Sequence, residues 1–368
     1  MYKPSRKRWT LAVTLLSLGL GAAGCWASQP PPILQNVRTA ALSGNGVVLA
    51  VAQGVANNDV ALIDTKTGHT KRVLIGCGGT LETLLFSPDD KTLVTYATVC
   101  SGDTYYWEAK LWDVRMGKLR HTMEAPDIGP LKSGSYALGF TADWQLAGMT
   151  DGDAFVRLWT TATGKRTGLA YRSQFFFSSD GIAVPTTSAL TSIVAQFPLA
   201  TPLEFCTFSS DKHLLLTLSG KNTVSGRISA DDGPGKAAVL WDAKTGKQLR
   251  ILPLEGHSAY SASLQGDKAF ISGEDSALVW DLARGTTQSL WQAPFSADKF
   301  DWFWHSHIVW ARLTRSGQKA ALIALHLKPV VQKNPHEVSS YWYAGEATFD
   351  QYSTATGQRT GTFGLMSW

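Results

Sequence analysis

Six times the chain writes a short apolar strand, a polar turn and a second short strand. The phrase reads "AVLWDAKTGKQLR" at 238–250, "AKLWDVRMGKLRH" at 109–121, "FVRLWTTATGKRT" at 155–167 and "ALVWDLARGTTQS" at 277–289. Looser copies are "VALIDTKTGHTKR" at 60–72 and "TFDQYSTATGQRT" at 348–360. Alternating apolar residues before each turn specify a strand with one buried face. Asp, Thr and Gly in that order suit a tight turn, with Asp accepting backbone N–H groups and Gly taking positive φ. A second phrase, strand, polar turn, strand, precedes most copies and reads as a hairpin. It occurs seven times, at 40–52, 84–96, 138–149, 175–184, 206–218, 262–272 and 311–325.

Hairpin followed by hairpin gives a four-stranded antiparallel unit with a period of about 40 residues, the range of propeller blades. One such sheet cannot cover both its faces, whereas stacking it between neighbours does. At these phrases the chain resembles the WD40 family of β-propellers, over roughly 38–366. The resemblance implies an all-β fold with a single propeller at 38–368. Seven hairpin phrases predict seven four-stranded blades. The fourth is degenerate, because "IVAQFPLATP" (193–202) stands where a strand-turn phrase belongs. Six blades or a truncated fourth blade therefore stay open. Trp112, Trp159, Trp241 and Trp280 are expected to wedge between blades. By the same resemblance His257, Ser272, Asp275 and Trp280 would form a structural hydrogen-bonded network, not a catalytic triad.

The N-terminus has a different character. Lys3, Arg6, Lys7 and Arg8 precede "WTLAVTLLSLGLG" (9–21), the layout of a secretory signal, too short for a permanent span. "AAGC" (22–25) resembles the lipobox of bacterial lipoproteins. That resemblance implies a signal peptide at 1–24, acylation of Cys25 and a Pro-rich tether at 25–37. Ala22 stands where that family prefers Leu, so ordinary cleavage behind Ala27 stays open. Trp26 rather than Asp after the Cys resembles the outer-membrane sorting pattern. The expected location is the cell envelope, lipid-anchored at the outer membrane facing the periplasm, or free in the periplasm without acylation.

In a propeller the first and third turns of each blade share one face. The second connections and the inter-blade links share the other. Here first and third turns are uniformly tight, and the irregular lengths fall on second connections at 97–108, 219–237 and 326–346. Long connections on a rigid scaffold are where binding usually resides. Two of them carry aromatic clusters, Tyr105-Tyr106-Trp107 and Tyr341-Trp342-Tyr343, and the third carries Arg227. Aromatic side chains are favoured anchors in recognition surfaces. These seven residues are the expected partner face, unless the aromatics simply begin third strands and pack locally. Cys77 and Cys100 fall on that same face and are candidates for a disulfide, which an oxidising compartment favours.

The formal charge of +5 comes largely from the first eight residues. Beyond residue 24 the chain has 30 Lys and Arg against 29 Asp and Glu, with no basic block to track phosphates, so nucleic acid is not expected. His305 and His307, two apart on a strand, are weak metal candidates, because no third ligand is marked. No nucleophile elbow, phosphate loop or dinucleotide fingerprint occurs, and no cofactor is expected. The sequence thus points to a monomeric propeller serving as a protein-interaction scaffold or accessory subunit, rather than to an enzyme. The alternative is an extracytoplasmic enzyme or small-ligand binder with its site at the central funnel.

Overall fold

The computed structural model describes residues 37–367 apart from 54–58, 102–103, 126–137, 142, 151–154, 172–174, 178–182, 196–205, 220–236, 255–258, 260, 274–275, 293–306 and 331–341. The expected signal segment at 1–24, Cys25, Arg227, His257, Asp275, His305 and Tyr341 lie outside the described residues.

Blade 1 consists of β1 (Val37–Leu42), β2 (Val48–Gln53), β3 (Val60–Asp64) and β4 (Thr70–Leu74). Blade 2 follows as β5 (Thr80–Phe86), β6 (Thr92–Ser101), β7 (Thr104–Asp113) and β8 (Lys118–Ala125). Blade 3 is β9 (Leu138–Phe140), β10 (Leu146–Thr150), β11 (Phe155–Thr160) and β12 (Arg166–Tyr171). The fourth hairpin phrase forms only β13 (Phe175–Phe177) and β14 (Ala183–Pro185), followed by helix α1 (Ser188–Ala195). Blade 4 is β15 (Cys206–Phe208), β16 (Leu214–Ser219), β17 (Ala237–Asp242) and β18 (Gln248–Pro253). Blade 5 is β19 (Ser261–Gln265), β20 (Lys268–Ser272), β21 (Ser276–Asp281) and β22 (Thr286–Gln292). Blade 6 is β23 (His307–Leu313), β24 (Lys319–Val330), β25 (Trp342–Ser353) and β26 (Arg359–Ser367). Each blade is an antiparallel sheet in chain order. The molecule is an all-β propeller of six four-stranded blades, not seven.

The helix explains the lost blade. Thr187 caps α1, its hydroxyl accepting from the Leu190 amide at 3.2 Å. Ala189, Leu190 and Ile193 are buried, whereas Ser188, Thr191 and Ser192 are exposed, the spacing of one helix face. Leu190 and Ile193 pack with Val184 against Phe208, Leu215 and Trp241 of blade 4. Elsewhere the third-turn glycine of a blade abuts the outer strand of the blade before it. Gly117 lies on Arg72, Gly164 on His121 and Gly285 on Arg250, whereas Gly246 lies on Ala189. Thus α1 takes the place of an outer strand.

Blades stack through apolar faces; Trp112, Trp159 and Trp280 wedge between them as expected, whereas Trp241 packs on Leu190 and Ile193 of α1. Trp112 packs with Leu62, Leu74 and Cys77 of blade 1, and Trp159 with Leu111 and Met123 of blade 2. Trp280 packs with Leu216 and Leu240 of blade 4.

The turns repeat one chemistry. In the first turns a hydroxyl donates to the residue two ahead: Ser43 to Asn45 at 2.8 Å, Ser87 to Asp89 at 2.7 Å, Thr141 to Asp143 at 2.7 Å and Ser209 to Asp211 at 2.6 Å. In the third turns the Asp that ends the strand accepts backbone amides, as Asp64 does from Lys66 and Thr67 and Asp242 from Lys244 and Thr245. The amide of Gly68, at φ 72°, then closes on the Asp64 carbonyl at 2.8 Å.

These contacts make the repeat acid-sensitive. The Lys71 ammonium holds the Asp64 carboxyl down to about 2, with help from the Thr67 and Lys66 amides. Asp89, Asp113, Asp143, Asp211, Asp242 and Asp281 are also lowered, each first by a hydrogen bond to its carboxylate. Groups lowered on folding stabilise fully above their unfolded value, and that stabilisation is lost as pH falls through the folded value. The urea midpoint is therefore expected to stay level above about pH 5 and to fall between about pH 4 and 2. A midpoint unchanged from pH 5 to 2.5 would show that the caps do not contribute.

Candidate functional site

Two ends of the propeller can be told apart by hydrogen bonds. In every blade the third turn bonds to the first, for example Val114 N to Lys91 O and Ala243 N to His213 O. First and third turns thus form one face. The opposite ends of the strands, with Ser101, Thr104, Val330 and Trp342, form the other.

On that second face, blades 2 and 6 stand out. Strands β6 and β7 have ten residues each and β24 and β25 twelve, whereas the central strands of the other blades have five or six. Pairing runs without interruption to Ser101↔Thr104 in blade 2 and to Val330↔Trp342 in blade 6. The connection at 97–108, read as an irregular loop, is mostly ladder, because its alternating Thr, Val, Tyr and Trp suit a pleated ribbon. Strand β1 contacts both β5 and β23, so blade 1 sits between the two extended ribbons.

The aromatic residues divide between ribbon and core. Tyr105 pairs with Cys100, and Tyr106, half-buried, pairs with Val99. Trp107 is buried and stacks on Tyr96, with centroids 4.8 Å apart and planes at 13°, in the cluster between blades 2 and 3. It is core, and a partner cannot reach its ring. Trp342 and Tyr343 begin β25, their backbones opposite Val330 and Pro329.

The link between blades 1 and 2 is fastened to the second ribbon. A Cβ on Gly79 would lie 1.8 Å from the Thr98 carbonyl oxygen, so only glycine allows the link to lie on β6. Lys110 Nζ donates to the Gly76 carbonyl at 2.9 Å and lies 2.8 Å from Glu108 Oε1. Gly76 N donates to Asp59 Oδ1 at 3.2 Å. Both charged side chains of the pair are largely buried, Lys110 at 14% and Glu108 at 8% exposure.

Cys77 and Cys100 do reach the same face, but no disulfide joins them. The Cys77 thiol is buried and donates to the Leu74 carbonyl at 3.4 Å, whereas Cys100 is exposed near the ribbon tip. Burial pushes the Cys77 thiol up to about 12, which leaves almost no thiolate at neutral pH. Maleimide at pH 7 is expected to label Cys100 within minutes and Cys77 only after unfolding. Equal labelling of both, read by peptide mass, would mean that the link opens in the native state.

A polar chain runs through blade 6. Thr348 Oγ1 donates to Asp350 Oδ2 at 3.0 Å and lies 2.9 Å from His326 Nε2. Having given its proton to the carboxylate, Thr348 must accept from His326, which sets the Nε2–H tautomer. Asp350, 1% exposed, also meets Arg359 at 3.4 Å. The hydroxyl is held in the middle and not activated by the imidazole, so the arrangement is not that of a nucleophilic triad. His307 pairs through its backbone with Leu325 at the start of β23. Among the described residues no group of three His, Cys, Asp or Glu is placed to hold a metal.

The expected network around Trp280 meets a different register. Trp112 Nε1 donates to Thr95 Oγ1 at 3.0 Å, and Trp241 Nε1 to Thr217 Oγ1 at 2.8 Å. In both blades the threonine sits two residues past the tryptophan's cross-strand partner. In blade 5 that position is Ile271, which packs on Trp280. Ser272 is one residue further, on the opposite side of the strand. A Thr on the second strand was the signal for these bonds in blades 2 and 4.

The fold and the turn chemistry define a β-propeller whose blades are consistent with WD40-like repeats. Compared with known proteins, the chain matches no family model and no curated protein.

Proposed function

We propose that this propeller is a protein-interaction platform of the bacterial cell envelope, tethered through acylated Cys25 to the outer membrane and facing the periplasm. Its partner binds the face carrying the two extended ribbons, where Tyr105, Tyr106, Trp342 and Tyr343 supply contacts. One observation carries the reading: among the described residues, only the two blades that flank blade 1 lengthen their central strands, to ten and twelve residues. Trp107, at the base of one ribbon, packs between blades 2 and 3, and pairing continues past it to Ser101↔Thr104, as it does to Val330↔Trp342 in blade 6, on either side of blade 1. Rigid, aromatic-bearing walls on a stable ring suit recognition of another protein.

The test is site-specific photocrosslinking in cells, with the probe at Tyr106 or Trp342 and a control at Gln145, exposed on the turn face. Discrete adducts from the two ribbon sites alone, identified by mass, are the expected result. Adducts from the control at equal yield, or none from either ribbon, would remove the platform. For the tether, Cys25→Ser is expected to release the protein from membranes after a high-salt wash.

A further inference from the structure

The first strand shows from which end of the propeller the N-terminal segment departs. Leu42 ends β1 on the turn face, where the Ser43 amide donates to the Val48 carbonyl at 2.8 Å. Val37, at the other end of β1, pairs with Gln53, the last residue of β2. The turn ends of blades 6, 1 and 2 are clamped together, because Arg315 N donates to the Gly44 carbonyl and Gly44 N to Asp90 Oδ1, each at 2.7 Å. Val37 therefore lies at the same end as the two ribbon tips, on the blade between them.

Both ribbons rise out of the ring at that end. Along β6, Tyr96 and Ala97 are buried, Thr98 and Val99 half-buried and Cys100 exposed. Pairing with β5 stops at Thr80↔Thr98 and pairing with β8 at Trp107↔Ala125. Among the described residues this leaves three pairs of β6 and β7 two strands wide, from Val99↔Tyr106 to Ser101↔Thr104. In blade 6 the last outer pairs are His307↔Leu325 and Glu346↔Ser367, and four pairs continue from Leu327↔Gly345 to Val330↔Trp342. At about 3.3 Å per residue the two ribbons project roughly 10 and 13 Å.

Cys25 is twelve residues before Val37, and twelve residues span at most about 43 Å. Carrying Cys25 to the turn face means crossing three strand spacings from β1 to the rim, about 14 Å, and then the height of six-residue strands, about 20 Å. Side chains and turns lengthen that path further, so it uses up most of the reach. On the ribbon side nothing has to be crossed. Resting on the platform reading and on acylation of Cys25, we infer that the ribbons point at the membrane holding the lipid, and that their partner is a protein held in that same membrane. A freely soluble partner would have to enter the space between ring and bilayer, which the tether keeps short and the ribbons partly fill. A protein already seated in the membrane meets the ribbons without leaving it. The bilayer itself suits the tips less well. A ribbon two strands wide presents backbone N–H and C=O groups along its edges, and hydrocarbon offers them no partner. A protein surface can pair with them by strand addition.

The experiment uses the full chain in cells, with a photoreactive probe at Tyr106 or Trp342 and a protease site in place of residues 28–34. After irradiation the membranes are washed with carbonate, the tether is cut, and the wash is repeated. Uncrosslinked protein is expected to leave the pellet only on cutting, whereas adducts from both probes stay in it. Adducts released together with the uncrosslinked protein would mean a soluble partner, which overturns this inference and leaves the platform standing. Adducts carrying the mass of a phospholipid would put the bilayer in the partner's place and overturn it too. If neither probe gives an adduct, the platform fails and the inference with it. Uncrosslinked protein lost in the first wash shows that Cys25 is no anchor, which overturns the inference through its tether and not through its partner.

Discussion

Lys110→Met is expected to lower the unfolding free energy by about 3–5 kcal/mol, the usual cost of orphaning one member of a buried ion pair. Its ammonium lies 2.8 Å from Glu108, which is 8% exposed, and also holds the Gly76 carbonyl of the link between blades 1 and 2. Removing the cation leaves a carboxylate in a cleft roofed by Gly78, where a Cβ would already fall 2.4 Å from Glu108 Oε1. Desolvation cannot then be relieved without moving the link. Glu108→Leu combined with Lys110→Met removes both charges, and it should recover more than half of the loss. Urea unfolding of the two single variants and the double variant gives the coupling directly. Simple addition of the two single losses would mean that each charge is solvated separately and that the pair does not fasten the link.

Much of the blade architecture is legible in the sequence because it is local. "SPDDKT" and "DAKTGK" specify their own turns through a hydroxyl, a carboxylate and a residue at positive φ. The strands around them alternate, so each blade announces itself without reference to its neighbours. The exception at 188–195 was also written locally. Ala189, Leu190 and Ile193 have helical spacing, but the expectation of a strand-turn phrase directs attention to period two. The candidate site is harder to read. Whether Trp107 faces a partner or blade 3 depends on which side of β7 the register turns it, and that is decided by Tyr96 and Met149 in other strands. The Glu108–Lys110 pair looks like an ordinary alternation of exposed charges until the glycine link folds over it.

The ring closes without sharing a strand, and this makes the seam between blades 6 and 1 the place to test how it opens. β1 to β4 come from one end of the propeller sequence and β23 to β26 from the other, with no exchange between them. The seam is held by packing of Phe349 and Ile323 on Leu42, Leu49, Val51 and Ile63. A polar clamp adds to it: Arg315 N donates to the Gly44 carbonyl at 2.7 Å, and Asp90 of blade 2 accepts from Gly44 N at 2.7 Å and from Arg315 at 3.1 Å. Phe349→Ala is expected to cost about 3–5 kcal/mol, as do other large core truncations. Phe270→Ala, at the junction of blades 5 and 6, should cost a similar amount. The two should differ in what opens. At the seam no chain connection limits separation, so Phe349→Ala is expected to raise amide exchange first in β1, β3 and β25, with blades 3 and 4 still protected. The continuous chain at the blade 5–6 junction keeps those neighbours close, and Phe270→Ala should raise exchange broadly, through global unfolding. Uniform exchange in both variants would mean that the propeller unfolds as one unit and that packing alone makes the seam as strong as any connected junction.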